Sequence, residues 1–490
     1  MKTTLISLDK ELFSISIRIL SSCLKKAGHD AKTAFLVPPD SVKTANKFLT
    51  GYSEQLLDRL AVLCSDSGLI GISLMSNQFL QAIRLTEGLK VRGISVPFIW
   101  GGIQPTVEPE ECLEYADIIC MGEGEEAIVE LADALQMGRE YTSIRNLCFK
   151  TTGGILKNEL RPLISDLDAV PFPDYSCQGH YIAVGDDLQL LTREKLAGYE
   201  GERFKSRNGK IMYMFMTSRG CPFNCSYCGN NVYRRLYPKE IPVRWRSPEN
   251  VIEELRMIQR DVAPISYVYM VDDNFTARSR EKLRAFCELY KKKIGIPFFV
   301  QVNPLTINEE KMEILFNNGC AHITMGVETA SERIADMYYR GNAHGTVEKA
   351  IALVEKYRHL QIPPPTYQFI IDNPWETLDE MLNTLRLACS FPRPWSNPIY
   401  SLMLFPGVPL YYKALEEGII HNKTEQIYTK NWRSQSRPFL QLWIKMYHAN
   451  FHPFILHFML LKWIARFFTL KPVEAIFKTR LLRRFWEEYV

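Results

Sequence analysis

The chain has 490 residues, of which 46% are hydrophobic and 23% are charged, as is typical of a soluble globular protein with two or three domains. A formal net charge of only +4 gives no bulk electrostatic reason to expect a nucleic-acid partner. The first residues, MKTTLISLDKE, lack the long apolar core and cleavage site of a secretory signal. Twelve cysteines with one tight cluster favour reduced thiols and a metal site over a disulfide framework, so we expect a cytoplasmic protein.

Strand and helix patterns alternate over the first 145 residues and predict a doubly wound parallel sheet, whose ligands bind beyond the carboxyl ends of the strands. Predicted strands cover residues 3–8, 32–37, 69–74, 97–100 and 118–121.

Three segments follow predicted strands at that edge: SLMS (73–76), GGIQPT (101–106) and GEGE (122–125). Glycines there let a backbone approach a bulky ligand, although a single pair can equally serve a tight turn. Three such segments at one edge favour a ligand. The candidate contacts are Ser73, Met75, Ser76, Gly101, Gly102, Gln104, Glu123 and Gly124.

Residues 146–210 contain several prolines and glycines, which are typical of turns and linkers. We predict a hairpin over residues 146–157, an extended linker over 164–175 and a surface loop over 185–210. The expected divisions are a first domain at 1–145, the hairpin, linker and loop at 146–210, a second domain at 211–420 and a helical C-terminal region at 421–490.

The stretch MFMTSRGCPFNCSYCGNN places Cys221, Cys225 and Cys228 in a CxxxCxxC spacing, with Tyr227 before the last cysteine. Three thiolates can hold three irons of a cubane cluster, which leaves one iron open for chemistry. A zinc knuckle is the alternative, but zinc needs four ligands, and the nearest other cysteines are Cys177 and Cys287.

From residue 211 onward, six βα units predict a partial (β/α)6 barrel, with strands at 211–217, 266–271, 298–302, 322–325, 367–371 and 399–404. Cys320 precedes one of these strands and is expected to be a small buried residue. Asp272 and Asp273 either contact a ligand or cap the next helix. The polar residues past the strands are Asp272, Asp273, Asn274, Gln301, Asn303, Glu328, Thr329, Asp372 and Asn373.

The cysteine spacing and its aromatic residue resemble those of the radical S-adenosylmethionine (radical SAM) enzymes. The GGxxPT and GEGE segments are similar to the cobalamin-binding domain fused to one class of them. The resemblance implies a 4Fe-4S cluster, S-adenosylmethionine and cobalamin as cofactors, and an external electron donor such as flavodoxin or ferredoxin. It also implies that Glu328 and Thr329 face S-adenosylmethionine and that Phe405 lies near its adenine, although a simple turn at Phe405 is equally compatible.

The commonest reaction of that class is methylation of an unactivated carbon, here of a small or lipid-like substrate. Cleavage of S-adenosylmethionine to a 5′-deoxyadenosyl radical starts it, and methylcobalamin donates the methyl group. Radical cyclisation or ring rearrangement is the runner-up. A cobalamin sensor or electron-transfer protein is the rival of another class. A transfer-RNA methylthiotransferase would need a second cysteine cluster, which the sequence does not show.

Cobalamin mutases and methionine synthase carry an axial histidine in the loop after the first strand, whereas the loop here reads LDKEL (8–12). His29 follows a predicted helix and is expected at the surface. We therefore expect cobalamin without a protein histidine on cobalt; a domain that has lost cobalamin is the alternative.

The run FILHFMLLKWIARFF (454–468) is nearly apolar, with basic residues Lys471, Lys478, Arg480, Arg483 and Arg484 downstream. It is too short to span a bilayer. A core helix, an interfacial helix with peripheral membrane contact and a lid over the substrate are all compatible with it.

Overall fold

The computed structural model describes residues 1–9, 12, 14–36, 51–196, 212–262, 264–340, 345–393, 397–430, 437–468 and 470. The chain divides into two compact units. The first unit comprises Met1–Gly220, Gly229–Tyr269 and Phe405–Thr429, and the second comprises Cys221–Cys228, Met270–Leu404 and Lys430–Val490.

A nine-stranded sheet forms the centre of the first unit. Its strands are β1 (Lys2–Ser7), β2 (Asp30–Phe35), β3 (Leu69–Ser73), β4 (Phe98–Gly101), β5 (Ile118–Cys120), β6 (Leu147–Thr151), β7 (Gly154–Lys157), β8 (His180–Val184) and β9 (Asp187–Leu190). They lie in the order β7-β6-β5-β4-β3-β1-β2-β8-β9. The five strands from β1 to β5 are parallel, which confirms the predicted doubly wound sheet. Their order, 2-1-3-4-5, puts the topological switch point between β1 and β3.

Amphipathic helices cover this sheet. Leu5 of β1 is buried in one apolar cluster with Ile17 of helix Ile15–Lys26 and Leu131 of helix Glu125–Gln136. Ser53 caps the second helix by accepting a hydrogen bond from the Leu56 amide. The helices of the first unit are Ile15–Lys26, Glu54–Cys64, Phe79–Val91, Ile103–Val107, Pro109–Cys112, Glu125–Gln136, Gly229–Leu236, Pro248–Asp261, Pro409–Glu416 and the π-helical turn Thr424–Tyr428.

Two hairpins extend the parallel core at its edges. β6 and β7 form the predicted hairpin, and β6 pairs antiparallel with β5. β8 pairs with β2, and β9 returns antiparallel along β8. The predicted surface loop over 185–210 is therefore wrong at Asp187–Leu190, and residues 197–210 lie outside the described part of the chain. The sequence of β9, DLQL, has no β-branched or aromatic residue, so pairing with β8 and not local propensity makes it a strand.

The second sheet has six strands that lie in their sequence order. They are β10 (Met212–Phe215), β13 (Tyr267–Met270), β14 (Phe298–Val302), β15 (Cys320–Glu328), β16 (Thr366–Ile371) and β17 (Ile399–Ser401). The pairings from β14 to β17 are parallel, and the predicted partial barrel is confirmed. Cys320 is buried at the start of β15, as expected of a small core residue. A short ribbon of β11 (Ser218–Arg219) and β12 (Arg244–Trp245) was not predicted.

The helices of the second unit are Arg280–Lys293, Glu309–Asn317, Glu332–Met337, Thr346–Lys356, Leu378–Ser390, Pro438–His448, Pro453–Met459 and Lys462–Phe468. The apolar run expected at 454–468 is therefore two short helices. Trp443 is buried and donates its indole N–H to the Leu456 carbonyl, at 3.2 Å. One face of this region is thus core, while Phe454, Trp463 and Phe467 are exposed.

No helix within the described ranges has both the length and the apolar character that crossing a bilayer requires. The downstream basic residues Lys471, Lys478, Arg480, Arg483 and Arg484 lie outside the described residues.

Candidate active site

The carboxyl ends of β1 and β3 meet at the switch point of the first sheet and are joined there by one side chain. Gln78 donates to the Leu8 carbonyl at 3.0 Å and accepts from the Met75 amide at 2.7 Å. Ser73 ends β3, Ser76 is buried in the turn that follows, and the Met75 side chain is 49% exposed. The structure therefore brings the SLMS segment to the ligand edge in a fixed conformation.

The GGIQPT segment follows β4, whose last residue is Gly101. Gly102 has a φ of +100°, and a β-carbon on it would lie 2.6 Å from the Leu74 carbonyl oxygen. The close approach of these two loops therefore requires glycine at position 102.

Gln104, in the same segment, is fully buried, and its Nε2 lies 3.4 Å from the Tyr428 hydroxyl. Its Oε1 has no hydrogen-bond partner among the described residues. A buried acceptor without a partner is costly, so this atom fits a ligand that donates a hydrogen bond. Cobalamin, with its peripheral amide groups, is such a ligand.

The GEGE segment lies after β5, but its side chains are engaged within the protein. The Glu123 carboxylate accepts hydrogen bonds from Arg219 and Arg244. Gly124 precedes helix Glu125–Gln136, and a β-carbon on it would lie 3.3 Å from the Cys120 sulfur.

His29 was expected at the surface, and that prediction is wrong, because only 6% of the residue is exposed. Its Nδ1 lies 3.0 Å from the amino group of Met1, and its Nε2 lies 3.3 Å from the Asp133 carboxylate. His29 directly precedes β2, so it lies at the amino ends of the strands, opposite the ligand edge. In the loop after β1, Asp9 accepts a hydrogen bond from Ser14, while Lys10 and Glu11 lie outside the described residues.

The cysteine loop of the second unit is held by backbone and side-chain contacts. The Ser226 amide donates to the Tyr338 carbonyl at 3.0 Å, and its hydroxyl donates to the Met337 carbonyl at 2.6 Å. The Tyr227 ring packs edge-on against Tyr338, with centroids 4.9 Å apart. Cys225, between these contacts, is only 7% exposed.

Within the described ranges, no three His, Cys, Asp or Glu side chains lie close enough together to hold a single metal ion. A cubane cluster does not require this, because each thiolate binds its own iron atom. Burial, with a smaller contribution from the Asp273 carboxylate, raises the pKa of the Cys221 thiol to about 12. Coordination to iron removes such a proton outright, so the donor set of Cys221, Cys225 and Cys228 fits the cluster.

A buried charged pair lies beside these thiols. The Arg340 guanidinium is 3.6 Å from the Glu328 carboxylate and 3.9 Å from the Cys225 sulfur. Burial raises the pKa of Glu328, although Arg340 acts in the opposite direction. Glu328 ends β15 with a φ of +71°, a left-handed conformation that is strained for glutamate. The sequence did not single out Arg340; a charged residue inside the aromatic run MYYR was the available signal.

Asp272 is fully buried and pairs with Arg278 at 3.3 Å. The helix that follows is capped by Ser279, so the alternative that Asp272 or Asp273 caps it is wrong. Asn274 is buried, and its Nδ2 has no hydrogen-bond partner among the described residues, so it offers a donor to a ligand.

Two further predicted residues, Asn303 and Thr329, hold turns. The Asn303 side chain accepts from the Leu305 amide, and Thr329 accepts from the Ser331 amide. Phe405 is half-buried and belongs to the first unit.

Comparison with known families gives two matches. Residues 215–388 match the model of the radical SAM superfamily, and residues 1–132 match that of the B12 binding domain. The chain belongs to the radical SAM enzymes with a cobalamin-binding domain. The cofactors of this family are a 4Fe-4S cluster, S-adenosylmethionine and cobalamin.

Two curated proteins and one solved structure illustrate the family. The chain is 27% identical to the uncharacterized methyltransferase PH0819 of Pyrococcus horikoshii over 75% of its own length and 72% of that protein. It is 25% identical to the anaerobic magnesium-protoporphyrin IX monomethyl ester cyclase of Rubrivivax gelatinosus over 73% of its length, but spans only 59% of the cyclase. Its fold is similar to that of the radical SAM methyltransferase TsrM from Kitasatospora setae, with a TM-score of 0.64, 17% identity and coverage of 85% of this chain and 76% of TsrM.

Proposed function

We propose that this radical SAM enzyme methylates an unactivated carbon of a small or lipid-like substrate. The observation that carries the proposal is the cysteine loop, with Cys225 beside the buried pair of Arg340 and Glu328. The B12 binding domain and the match to PH0819, which is named a methyltransferase, support methyl transfer.

In this proposal, Cys221, Cys225 and Cys228 hold the cluster. Arg340 offers a buried cation to the carboxylate of S-adenosylmethionine, and Glu328 offers a buried acceptor to its amino group or ribose. When bound, the cluster supplies the electron that cleaves S-adenosylmethionine, and cobalamin supplies the methyl group. The further contacts proposed for S-adenosylmethionine are Tyr227, Asp272, Asp273, Asn274, Asn303, Thr329 and Phe405, and those for cobalamin are Ser73, Met75, Ser76, Gly101, Gly102 and Gln104. Glu123 and Gly124 act on cobalamin only through the loop that they shape.

The test is an anaerobic assay of the reconstituted protein with S-adenosylmethionine that carries a deuterated methyl group. We expect 5′-deoxyadenosine and S-adenosylhomocysteine to form, and a metabolite extract of the source cells to yield a product that carries the label. Dithionite supplies electrons first; flavodoxin or ferredoxin, the proposed physiological donors, replace it in a second assay. Absence of 5′-deoxyadenosine would leave a cobalamin sensor as the better interpretation.

Radical cyclisation is the second candidate, because the match to the magnesium-protoporphyrin cyclase covers 73% of this chain. The same assay separates the two reactions. A cyclase forms 5′-deoxyadenosine without S-adenosylhomocysteine, and no label enters its product.

We also propose that the protein binds the surface of anionic membranes through an apolar patch formed by Phe454, Phe458, Trp463, Phe467 and Leu470. Phe454 is 72% exposed and Trp463 is 66% exposed. Large apolar side chains that are exposed together mark an interaction surface.

The charge of the sequence that carries the patch indicates what it binds. The sequence has no Asp or Glu between Glu425 and Glu474. That stretch carries the basic residues Lys430, Arg433, Arg437, Lys445, Lys462, Arg466 and Lys471. Exposed aromatic residues within a basic segment suit an anionic lipid interface.

Co-sedimentation of the full chain with phosphatidylcholine vesicles, with and without phosphatidylglycerol, tests this proposal. We expect binding only to the anionic vesicles, weakened by salt and by the double variant Trp463→Ser/Phe467→Ser. Val62→Ser/Val91→Ser removes two exposed apolar residues elsewhere and is the control. Equal recovery of all proteins in the supernatant at low salt would contradict membrane binding and leave a core or lid role for the region.

A further inference from the structure

Two arginines face each other on the short ribbon that precedes the cysteine loop. β11 and β12 pair antiparallel, and the register places Arg219 opposite Arg244. Like charges at directly opposed positions of a strand pair repel each other. This ribbon therefore needs a source of negative charge to keep its shape.

The GEGE segment supplies that charge. Glu123 Oε1 accepts from Arg219 at 2.8 Å and from Arg244 at 2.9 Å, while Oε2 accepts from Arg244 at 3.0 Å. Glu125 accepts from Arg219 at 2.6 Å. The Ile164 amide also donates to Glu123, at 2.8 Å. Two carboxylates and two guanidinium groups thus balance in charge.

The group is shielded from water, since the exposed fractions of the Glu123, Glu125 and Arg244 side chains are 12%, 11% and 11%. Burial alone would raise the pKa of Glu123, but the two arginines hold it below its ordinary value. Removal of one partner from such a buried group leaves an uncompensated charge and is strongly destabilising locally.

The ribbon leads directly into the cysteine loop. Gly220 follows Arg219 with a φ of +89°, and a β-carbon on it would lie 2.2 Å from the Pro242 carbonyl oxygen. The next residue is Cys221. Because the turn at Gly220 is tight and Arg219 is held by the two carboxylates, the position of Arg219 determines where the cysteine loop begins.

We propose that Glu123 and Glu125 are positioning residues for the cluster, because they hold the ribbon from which Cys221 emerges. This inference rests on the proposed role of Cys221, Cys225 and Cys228. The GEGE segment follows β5 in the same unit as the ribbon.

The test compares Glu123→Gln and Glu125→Gln with the wild type. Glu123→Gln keeps the shape of the side chain but leaves the ribbon with an excess positive charge. The neighbouring control is Glu126→Gln, whose carboxylate pairs with Arg161 and is 67% exposed. A double variant, Glu123→Gln/Arg244→Gln, restores the charge balance.

The readouts are iron content, the paramagnetic resonance spectrum of the reduced cluster with and without cobalamin, and the rate of 5′-deoxyadenosine formation. We expect Glu123→Gln to retain iron, to shift the spectrum and to form 5′-deoxyadenosine about 100-fold more slowly, as for a misplaced reacting group. The double variant should recover part of this rate. The rate of Glu125→Gln should lie between those of the wild type and of Glu123→Gln.

A wild-type spectrum and rate in folded Glu123→Gln, equal to those of Glu126→Gln, would overturn the inference while leaving the proposed function intact. If Glu123→Gln does not fold, Glu125→Gln decides by the same comparison, because it removes one negative charge at a carboxylate that accepts from Arg219 alone of the two arginines. If the wild type itself neither holds a cluster nor cleaves S-adenosylmethionine, the proposed function fails first.

Discussion

The Arg340 guanidinium lies 3.9 Å from the sulfur of Cys225, although 115 positions separate the two residues in sequence. Both are buried. A fixed positive charge beside a cluster ligand stabilises the more negative, reduced state of the cluster, since local charge and hydrogen bonds set cluster potentials.

We therefore expect Arg340→Gln to make the cluster harder to reduce and to slow 5′-deoxyadenosine formation by about 100-fold, the scale of losing one electrostatic contact. Arg340→Lys keeps the charge and should have a smaller effect. A redox titration followed by paramagnetic resonance measures the potential. Arg333→Gln, which alters a half-exposed arginine paired with Glu380, is the control. An unchanged reduction potential in Arg340→Gln would contradict the proposal that the charge of Arg340 stabilises the reduced cluster.

Replacement of Cys221, Cys225 and Cys228 together by alanine should abolish the iron–sulfur absorbance and all cleavage of S-adenosylmethionine. The first unit should stay folded, because its sheet does not include these residues. Iron analysis and circular dichroism check both expectations. Cys287→Ala and Cys320→Ala, which change buried cysteines of the same unit, should retain the cluster. Four irons in the triple variant would show that other ligands hold the metal.

Cob(II)alamin bound to this protein should show no nitrogen hyperfine splitting from a protein histidine. The loop after β1 contains none, and His29 is occupied by Met1 and Asp133 at the other end of the strands. Paramagnetic resonance of the wild type and of His29→Ala should give identical cobalt spectra. A splitting that disappears in His29→Ala would contradict this placement of the ligand edge.

Glu376 should make stability depend on pH. Burial, with a smaller contribution from the Glu380 carboxylate, raises its pKa from 4.5 to about 8. The folded state therefore binds the proton more tightly than the unfolded state. The resulting stabilisation is fully present below the unfolded pKa of 4.5 and is lost as the pH rises through about 8.

Glu376→Gln should flatten this dependence, which for one such group is at most about 1.4 kcal/mol per pH unit. Melting temperatures of wild type and variant across that range, measured without oxygen, show the difference. The exposed Glu348→Gln should follow the wild type. Parallel curves for wild type and Glu376→Gln would contradict the raised pKa.

The sequence alone predicted those features of the fold and of the site that depend on a local pattern of residues. The parallel strands from β1 to β5 are apolar runs between amphipathic helices, and the CxxxCxxC spacing is local by nature. Long-range pairing could not be read in the same way. Arg340 lies near Cys225 only because β15 and the helix that follows it return the chain to the cysteine loop. Likewise, the residues next to Glu123 in sequence do not predict that its carboxylate binds two arginines.

The predictions for His29 and for the segment that forms β9 were wrong for the same reason, because long-range contacts decide both. A histidine just past a helix usually faces solvent, but here the amino group of Met1 and the Asp133 carboxylate contact the ring of His29. The tetrapeptide DLQL has no β-branched or aromatic residue and becomes a strand because the edge of β8 is available to pair with it.

The two hairpins at the ends of the first sheet have a consequence for biosynthesis. The ribosome completes the parallel core with β5 at Cys120, but the edges of that core stay open until β6 and then β8 and β9 follow, as late as Leu190. Unpaired parallel edges are templates for the strands of other chains. We therefore expect a nascent chain that stalls between Cys120 and Leu190 to be more prone to aggregation than the chain with its complete sheet.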